Sequence, residues 1–198
     1  MVPRKGEHAP TFEDVYVPLF PVIYRVAYRI VGDAEHAEDI CHEAFIRYMQ
    51  RLRPLPDVLQ ARYWLLRVVR NLSLNHEKRR SREARAFERV RGVSALYAGS
   101  AEDGALREEM RSEVQRALNG LPHGLRTVLV LKEYGGLSYR EIGTIMGISE
   151  GNVKVRVYRA RERLAHELDP EAGSGEAAPG SSTGAGGPAA DRGGPNVP

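Results

Sequence analysis

The stretch "SEGNVKVRVYRARERL" (residues 149–164) combines dense basic charge with a regular apolar pattern. Wound as an α-helix at about 100° per residue, it places four apolar side chains on one narrow face, which we expect to pack inward. These are Val153, Val157, Ala160 and Leu164. The opposite face carries Lys154, Val155, Tyr158 and Arg159. Such a face suits duplex DNA, because Lys and Arg neutralise phosphates while Arg, Tyr and Val contact base edges. A solvated amphipathic helix fits the same pattern, so this stretch alone leaves both alternatives open.

The preceding residues, "LSYREIGTIMGIS" (residues 137–149), predict a second helix and a tight turn. Ser138 and Glu141 have the spacing of a capping box, so this helix begins near residue 139. Gly147 suits a left-handed turn, and Ser149 can cap the next helix. A helix, a glycine-containing turn and a basic helix form the helix-turn-helix pattern, which favours DNA binding over a solvated helix.

Charge is distributed unevenly along the 198 residues, although the formal net charge is only +3 and the pI about 9.1. Residues 33–43 contain five acidic residues and no Lys or Arg, whereas residues 62–91 contain ten basic and three acidic residues. The basic segments indicate a nucleic acid partner, and the acidic segment indicates a basic protein surface.

Composition excludes several classes of protein. The single cysteine, Cys41, excludes a disulfide scaffold and a cysteine-rich zinc site. No run of about 18 apolar residues occurs, and the polar N-terminus "MVPRKGEHAP" lacks the apolar core of a signal peptide. We therefore expect a cytoplasmic protein.

The periodicity predicts an all-α fold of two small helical domains, residues 10–90 and 105–168, joined by a flexible linker at 91–104. A Gly/Pro-rich tail at 169–198 is predicted to be disordered. The predicted helices cover about 12–31, 33–53, 59–90, 105–119, 122–134, 138–146 and 149–168.

In the first domain, "ARYWLLRVVRNLSLNHEKRR" (residues 61–80) predicts a helix with two different faces. Its core-facing stripe is Leu65, Val68, Val69 and Leu72. Its outward face carries Tyr63, Arg67, Arg70 and Asn71. Unpaired bases stack on aromatic rings and Arg planes, so this face suits single-stranded DNA. Trp64 falls on the flank, where we favour burial against a neighbouring helix, because large aromatic side chains are mostly buried.

Taken in order, "DAEHAEDICHEAFIRYMQRL", "YWLLRVVRNLSLN", the basic residues after it and the helix-turn-helix resemble an ECF-type (group IV, sigma-70 family) bacterial RNA polymerase sigma factor. The resemblance covers about 12–90 (sigma region 2) and 105–167 (sigma region 4). It implies an alternative sigma factor that binds core RNA polymerase and directs promoter-specific transcription initiation. It also implies no enzymatic activity, cofactor or metal, and an anti-sigma factor is expected as a partner.

The resemblance assigns roles to particular positions. The helix with Asp39, Glu43, Arg47 and Gln50 resembles the segment that docks on the β′ clamp helices, and region 4 would contact the β flap. The −10 recognition and melting positions would be Tyr63, Trp64, Arg67, Arg70 and Asn71. For the −35 element, Lys154, Val155, Tyr158 and Arg159 would face bases, while Asn152 and Arg156 would contact the backbone.

Two alternatives compete with this interpretation. A helix-turn-helix regulator of the LuxR type shares the second domain's pattern, but the first domain lacks the alternating strands and helices of a receiver. A metalloenzyme could use "HAEDICHE", yet His36 and His42 do not share a helical face. His36 and Asp39 have suitable spacing, but two ligands do not make a site, so an acidic docking face is favoured.

Overall fold

Seven α-helices and no strands make up the part of the chain that the structure, a computed structural model, describes: residues 9–91 and 105–169. Residues 92–104 of the predicted linker and 170–198 of the predicted tail lie outside the described residues. The all-α fold class is confirmed. The helices are α1 (Phe12–Val31), α2 (Ala34–Met49), α3 (Val58–Arg91), α4 (Ala105–Gly120), α5 (His123–Glu133), α6 (Tyr139–Met146) and α7 (Glu150–Leu168).

Local capping sets several of these helix ends. Thr11 and Asp14 form a capping box at the start of α1, and Gly32 ends α1 in the left-handed conformation with φ 80°. The predicted end of the second helix near residue 53 is wrong, since α2 ends at Met49. Pro54 excludes Arg53 from a helix, because proline disfavours the helical conformation of the residue before it.

The first helical domain (α1–α3) packs around α1. The buried residues of α1 recur every three or four positions, as one helical face requires. They are Val15, Leu19, Ile23, Val26, Ala27, Ile30 and Val31. The stripe predicted on α3 is confirmed, with Leu65, Val68 and Val69 buried and Leu72 half-buried. Leu66 is also buried, which the predicted stripe did not include.

The second helical domain (α4–α7) places α6 and α7 over α5, which is buried along most of its length. Its buried residues are Arg126, Thr127, Val128, Leu129, Val130 and Leu131. The inward face of α7 closes this core from the other side.

An arginine from the second domain joins the two domains. Arg126 is 4% exposed, and its guanidinium donates hydrogen bonds to the main-chain carbonyls of Ile30 (2.9 Å), Asn119 (2.9 Å) and Leu121 (3.1 Å). These carbonyls lie at the C-terminal ends of α1 and α4, where helix dipoles favour a positive charge. One guanidinium therefore caps two helices from different domains.

Two further hydrogen bonds cross between the domains. Arg29 donates to Oε1 of Gln115 at 3.1 Å, and Arg62 donates to the carbonyl of Gly135 at 2.6 Å. The buried apolar residues of both domains form one continuous cluster. The sequence did not predict this packing of the second domain on α1 and α3.

Candidate nucleic-acid and polymerase interfaces

The turn between α6 and α7 is built by local hydrogen bonds. Ser138 Oγ accepts from the backbone N–H of Glu141 (3.3 Å), whose carboxylate accepts from the backbone N–H of Ser138 (2.7 Å). Gly147 is left-handed with φ 69°, and Ser149 Oγ accepts from the backbone N–H of Asn152 at 3.2 Å. The predicted capping box, turn glycine and N-cap are all confirmed.

Gly143 lets α6 approach the start of α7 at backbone distance. A Cβ at this position would lie 2.7 Å from the carbonyl oxygen of Ile148, which is backbone and cannot swing away. The backbone N–H of Ile148 also donates to the carbonyl of Gly143 at 3.0 Å. The angle between the two helices of the motif therefore depends on a residue without a side chain.

The inward face of α7 is the predicted one. Val153, Val157 and Ala160 are buried, and Leu164 is half-buried against the core. Arg161 adds a salt bridge of 2.5 Å to Glu133 at the end of α5. These contacts fix the rotation of α7 about its axis and therefore fix which side chains point to solvent.

The outward face of α7 exposes apolar groups among cations. Lys154, Val155, Tyr158 and Arg159 are all exposed, as predicted, with Val155 at 48% and Tyr158 at 64%. Neither apolar side chain is buried in the core, so core packing does not explain why these two positions are apolar. Both side chains lie where they can contact a partner.

Several polar groups on this face are already partnered. Lys154 Nζ lies 3.0 Å from the carboxylate of Glu150, and Arg156 Nε donates to Oδ1 of Asn152 at 2.9 Å. Hydrogen bonding to Glu162 raises the pKa of Tyr158. Arg156 is half-buried, unlike the four outward residues. Because both contacts lie at the surface of α7, exchanging them for phosphate contacts costs little.

Two residues beside this face were not predicted. Lys132 Nζ lies 4.9 Å from the centroid of the Tyr139 ring, and Lys154 Nζ lies 5.9 Å from the same ring. Tyr139 is the first residue of α6, so the two helices of the motif and α5 meet there. The contact is tertiary, and no local pattern in the sequence signals it.

The α3 face predicted to meet single-stranded DNA is partly covered. Arg67 and Asn71 are exposed as expected, but Tyr63 and Arg70 are half-buried, so their predicted exposure is wrong. Tyr63 packs against the core, and burial lowers the pKa of Arg70. Burial, with a smaller contribution from the charge of Arg70, lowers the pKa of His123 on α5. Arg70 also donates to Oδ1 of Asn71 at 2.8 Å.

The Trp64 ring lies beside Tyr48, in the last turn of α2, and beside Arg51, which follows α2. The ring is half-buried, 6.1 Å from the Tyr48 ring, with the Arg51 guanidinium carbon 4.7 Å from its centroid. The favoured packing against a neighbouring helix is confirmed in part, because the ring keeps some exposure.

The acidic face of α2 contains paired and unshielded acids. The Glu43 carboxylate accepts a hydrogen bond from Nε of Arg47 at 2.7 Å. The Asp39 carboxylate and the uncharged amide of Gln50 are exposed. Ile46 and Met49 were missed by the sequence analysis, although they are 47% and 64% exposed on the same helix. An apolar anchor surrounded by charges is typical of a docking surface.

The residues considered for a metal do not form a ligand set. Asp33 Oδ1 lies 2.6 Å from His36 Nδ1, and backbone hydrogen bonding from His36 lowers the pKa of that carboxyl. The His36 ring lies 4.4 Å from the His76 ring. Burial raises the pKa of Cys41 to about 12, which keeps this thiol protonated. Within residues 9–91 and 105–169, no group of three His, Cys, Asp or Glu could hold a metal ion.

The fold and this geometry define an all-helical protein in which a helix-turn-helix domain with an exposed basic face packs on a three-helix domain. Comparison with known families agrees with both halves. The family model for sigma-70 region 2 matches residues 15–83, and the model for sigma-70, region 4 matches residues 111–164.

Relatives identify the subfamily. The ECF RNA polymerase sigma factor SigW of Bacillus subtilis is 33% identical over 173 residues, which are 83% of this chain and 92% of that protein. The RNA polymerase sigma-H factor of Pseudomonas aeruginosa is 36% identical over 152 residues, which are 72% and 78% of the two chains. The chain belongs to the ECF RNA polymerase sigma factors. It is an alternative sigma factor that directs transcription initiation, and the LuxR-type alternative is not supported.

Solved structures share the fold. The sigma factor RpoE of Bartonella quintana, solved with the anti-sigma factor NepR, is 24% identical with a TM-score of 0.62, covering 81% of this chain and 98% of that chain. CnrH, solved with the cytosolic domain of CnrY, is 23% identical with a TM-score of 0.56, covering 81% and 88%. None of the helices described in the present chain has both the length and the apolar character of a membrane span.

Proposed function

We propose that α7 reads the −35 element from the major groove of promoter DNA. The observation that carries this proposal is the exposure of Val155 and Tyr158 between Lys154 and Arg159. Cations alone would serve phosphates, but exposed apolar groups beside them suit base edges and thymine methyl groups. Asn152 and Arg156, already hydrogen-bonded to each other, lie at the N-terminal half of α7 and suit phosphate contacts.

We propose that α3 recognises and opens the −10 element. Arg67 and Asn71 are exposed and offer cationic and amide groups to a displaced strand. Tyr63, Trp64 and Arg70 are half-buried, and Trp64 retains an accessible part of its ring for a flipped base.

We propose two contacts with core RNA polymerase. The first joins the β′ clamp helices to α2, through Asp39, Glu43, Arg47 and Gln50 around the exposed Ile46 and Met49. The second joins the β flap to a cavity of about 420 Å³ between α4, α5 and α7. Its apolar lining suits an inserted hydrophobic side chain. The lining residues are Val114, Leu118, Leu129, Glu133, Tyr134, Arg161 and Leu164.

We propose that the chain supplies promoter specificity and has no chemistry of its own. It would act in the cytoplasm, where bacterial polymerase and DNA are found. We also propose an anti-sigma factor as a regulatory partner. This proposal is supported by two structural neighbours, since RpoE was solved with the anti-sigma factor NepR and CnrH with the cytosolic domain of CnrY.

The first experiment mixes the purified chain with bacterial core polymerase and sheared DNA from a GC-rich genome, and sequences the transcripts. Discrete 5′ ends that share paired −35 and −10 motifs are expected. Core polymerase that neither binds the chain nor initiates with it would refute the proposal, even if the chain bound duplex DNA.

Substitution of Arg159 tests the assignment of the −35 face. Arg159→Ala should cost about 1–3 kcal/mol at one −35 position and relax the base preference there. Arg163→Ala is the control, since Arg163 is exposed on the same helix one turn further from its N-terminus. Equal loss of binding on all sequences would show that Arg159 contacts phosphate instead of a base.

A further inference from the structure

Helix α3 extends well past the core that it helps to form. Its 34 residues span about 51 Å. Ser73 is the last buried residue among its described side chains, and those described between positions 74 and 86 are half-buried or exposed. Half-buried contacts, such as that of the His76 ring with the His36 ring, cover one side of this extension, but they do not explain the exposed cations on its other side.

Three basic residues of this extension lie along one line, whereas Arg79 and Arg80 fall outside it. At about 100° per residue, the exposed side chains of Lys78, Arg82 and Arg85 fall within about 60° of one another. Arg67 and Asn71, exposed further back on α3, fall in the same sector. We call this set of five residues the α3 basic line.

Acidic residues are kept out of that sector. Glu77 and Glu83 fall about 80° or more from it by the same geometry. Arg79, on the far flank, is paired with Glu83 at 2.9 Å and is therefore compensated. The α3 basic line presents positive charge with no carboxylate in its sector, so it favours a polyanion over solvent.

The chemistry of the line favours phosphates over bases. The extension contributes Lys78, Arg82 and Arg85 to it, without an aromatic ring on which a base could stack. From Arg67 to Arg85 the line covers about 27 Å of helix, which corresponds to about eight base pairs of duplex at 3.4 Å each. Contacts of this type position a duplex without reading its sequence.

The order of the chain gives the direction of the DNA. The C-terminal end of α3 leads through residues 92–104 to the second domain, whose α7 is proposed to read the upstream element. Resting on that proposed function, we infer that Lys78, Arg82 and Arg85 bind the phosphate backbone of the duplex spacer between the −10 and −35 elements. They hold the DNA just upstream of the −10 element along α3.

Charge reversal on the line, compared with the same reversal beside it, tests this inference. Lys78→Glu and Arg85→Glu are each compared with Arg79→Glu, which has the same change of charge on the paired flank. Glutamate keeps a high helix propensity, so α3 is expected to stay folded. Holoenzyme is assembled with each variant on a mapped promoter, and binding is measured at several salt concentrations together with hydroxyl-radical protection of the spacer.

Each variant on the line should reduce the salt slope of binding by about 0.9 in magnitude and remove protection from a few spacer phosphates. Arg79→Glu should leave both unchanged, and the transcript 5′ ends should be the same in all variants. On a spacer with neutral methylphosphonate linkages, the wild-type chain should lose affinity and Arg85→Glu should lose no more.

Unchanged salt slope and protection in both line variants, with normal initiation, would overturn the inference and leave the proposed function intact. Weaker binding to core polymerase or to transcript RNA, with the spacer still protected, would assign the line to that partner and also overturn it. If the wild-type chain forms no initiating holoenzyme on any promoter, the proposed function is refuted. In that case, binding of the wild-type and variant chains alone to plain and methylphosphonate duplexes would still decide whether the α3 basic line contacts phosphates.

Discussion

Replacement of Arg126 by methionine should destabilise the whole protein. Methionine fills a similar volume but leaves three carbonyls at the ends of α1 and α4 without their donor. Each buried carbonyl left unpaired costs about 1–3 kcal/mol. The lower end of that range applies, because burial of the guanidinium itself is unfavourable, as the lowered pKa of Arg126 indicates. The expected loss in the free energy of unfolding is therefore about 3 kcal/mol.

Urea and thermal denaturation of the full chain measure this loss. For a protein of this size, 3 kcal/mol corresponds to a decrease in Tm of about 6–12 °C. Arg140→Met is the matched control, because Arg140 is exposed on α6. Arg126→Lys should be intermediate, since an ammonium keeps the charge but lacks the planar fork that reaches three carbonyls.

A loss below about 1 kcal/mol for Arg126→Met, equal to that of Arg140→Met, would refute the reasoning. It would mean that water or a neighbouring group replaces the guanidinium at the carbonyls. Small-angle scattering adds a second readout, because Ile30 belongs to the first domain and Arg126 to the second. The radius of gyration should increase in Arg126→Met at temperatures where both domains remain helical.

Two further predictions concern the same contact between domains. Gly32→Ala should cost more stability than Gly147→Ala: both glycines are left-handed, but a Cβ on Gly32 would lie 2.4 Å from the Asn119 side chain, whereas nothing lies within 4 Å at Gly147. About 1 kcal/mol is expected for Gly147→Ala and about 2 kcal/mol for Gly32→Ala in urea denaturation, and equal losses would contradict the clash. Burial and nearby arginines lower the pKa of His123 below its ordinary value of 6.5, so this histidine supports stability fully above pH 6.5 and less as pH falls below it. His123→Gln should flatten the decline in Tm below pH 6.5, and a decline as steep as that of the exposed control His166→Gln would contradict the assignment.

The helices could be predicted from sequence because their signals are local. Ser138, Gly147 and Ser149 determine the turn through residues at most four positions away. Arg126 has no such signal, because its three acceptors come from α1 and from the end of α4. The half-buried state of Arg70 was also missed, since a helical wheel shows on which face a residue lies but not what packs against that face.

We propose that promoter selection by this chain depends on combining weak contacts. On α7, the pairs of Lys154 with Glu150 and of Arg156 with Asn152 are exposed, so exchanging them for DNA contacts changes the free energy little. Glu150 and Glu162 repel phosphates and lower the affinity for arbitrary duplex. A small DNA-contacting face with low affinity for arbitrary duplex binds weakly alone. Its occupancy increases when another part of the same protein holds the DNA nearby, because the effective concentration of its own DNA site is then high. If α3 and α7 read DNA as proposed, the packing of the second domain on α1 and α3 should oppose such two-site binding until core polymerase separates these helices and sets their spacing. Weak individual sites and a stable contact between the domains therefore work in the same direction, because both make initiation depend on the polymerase.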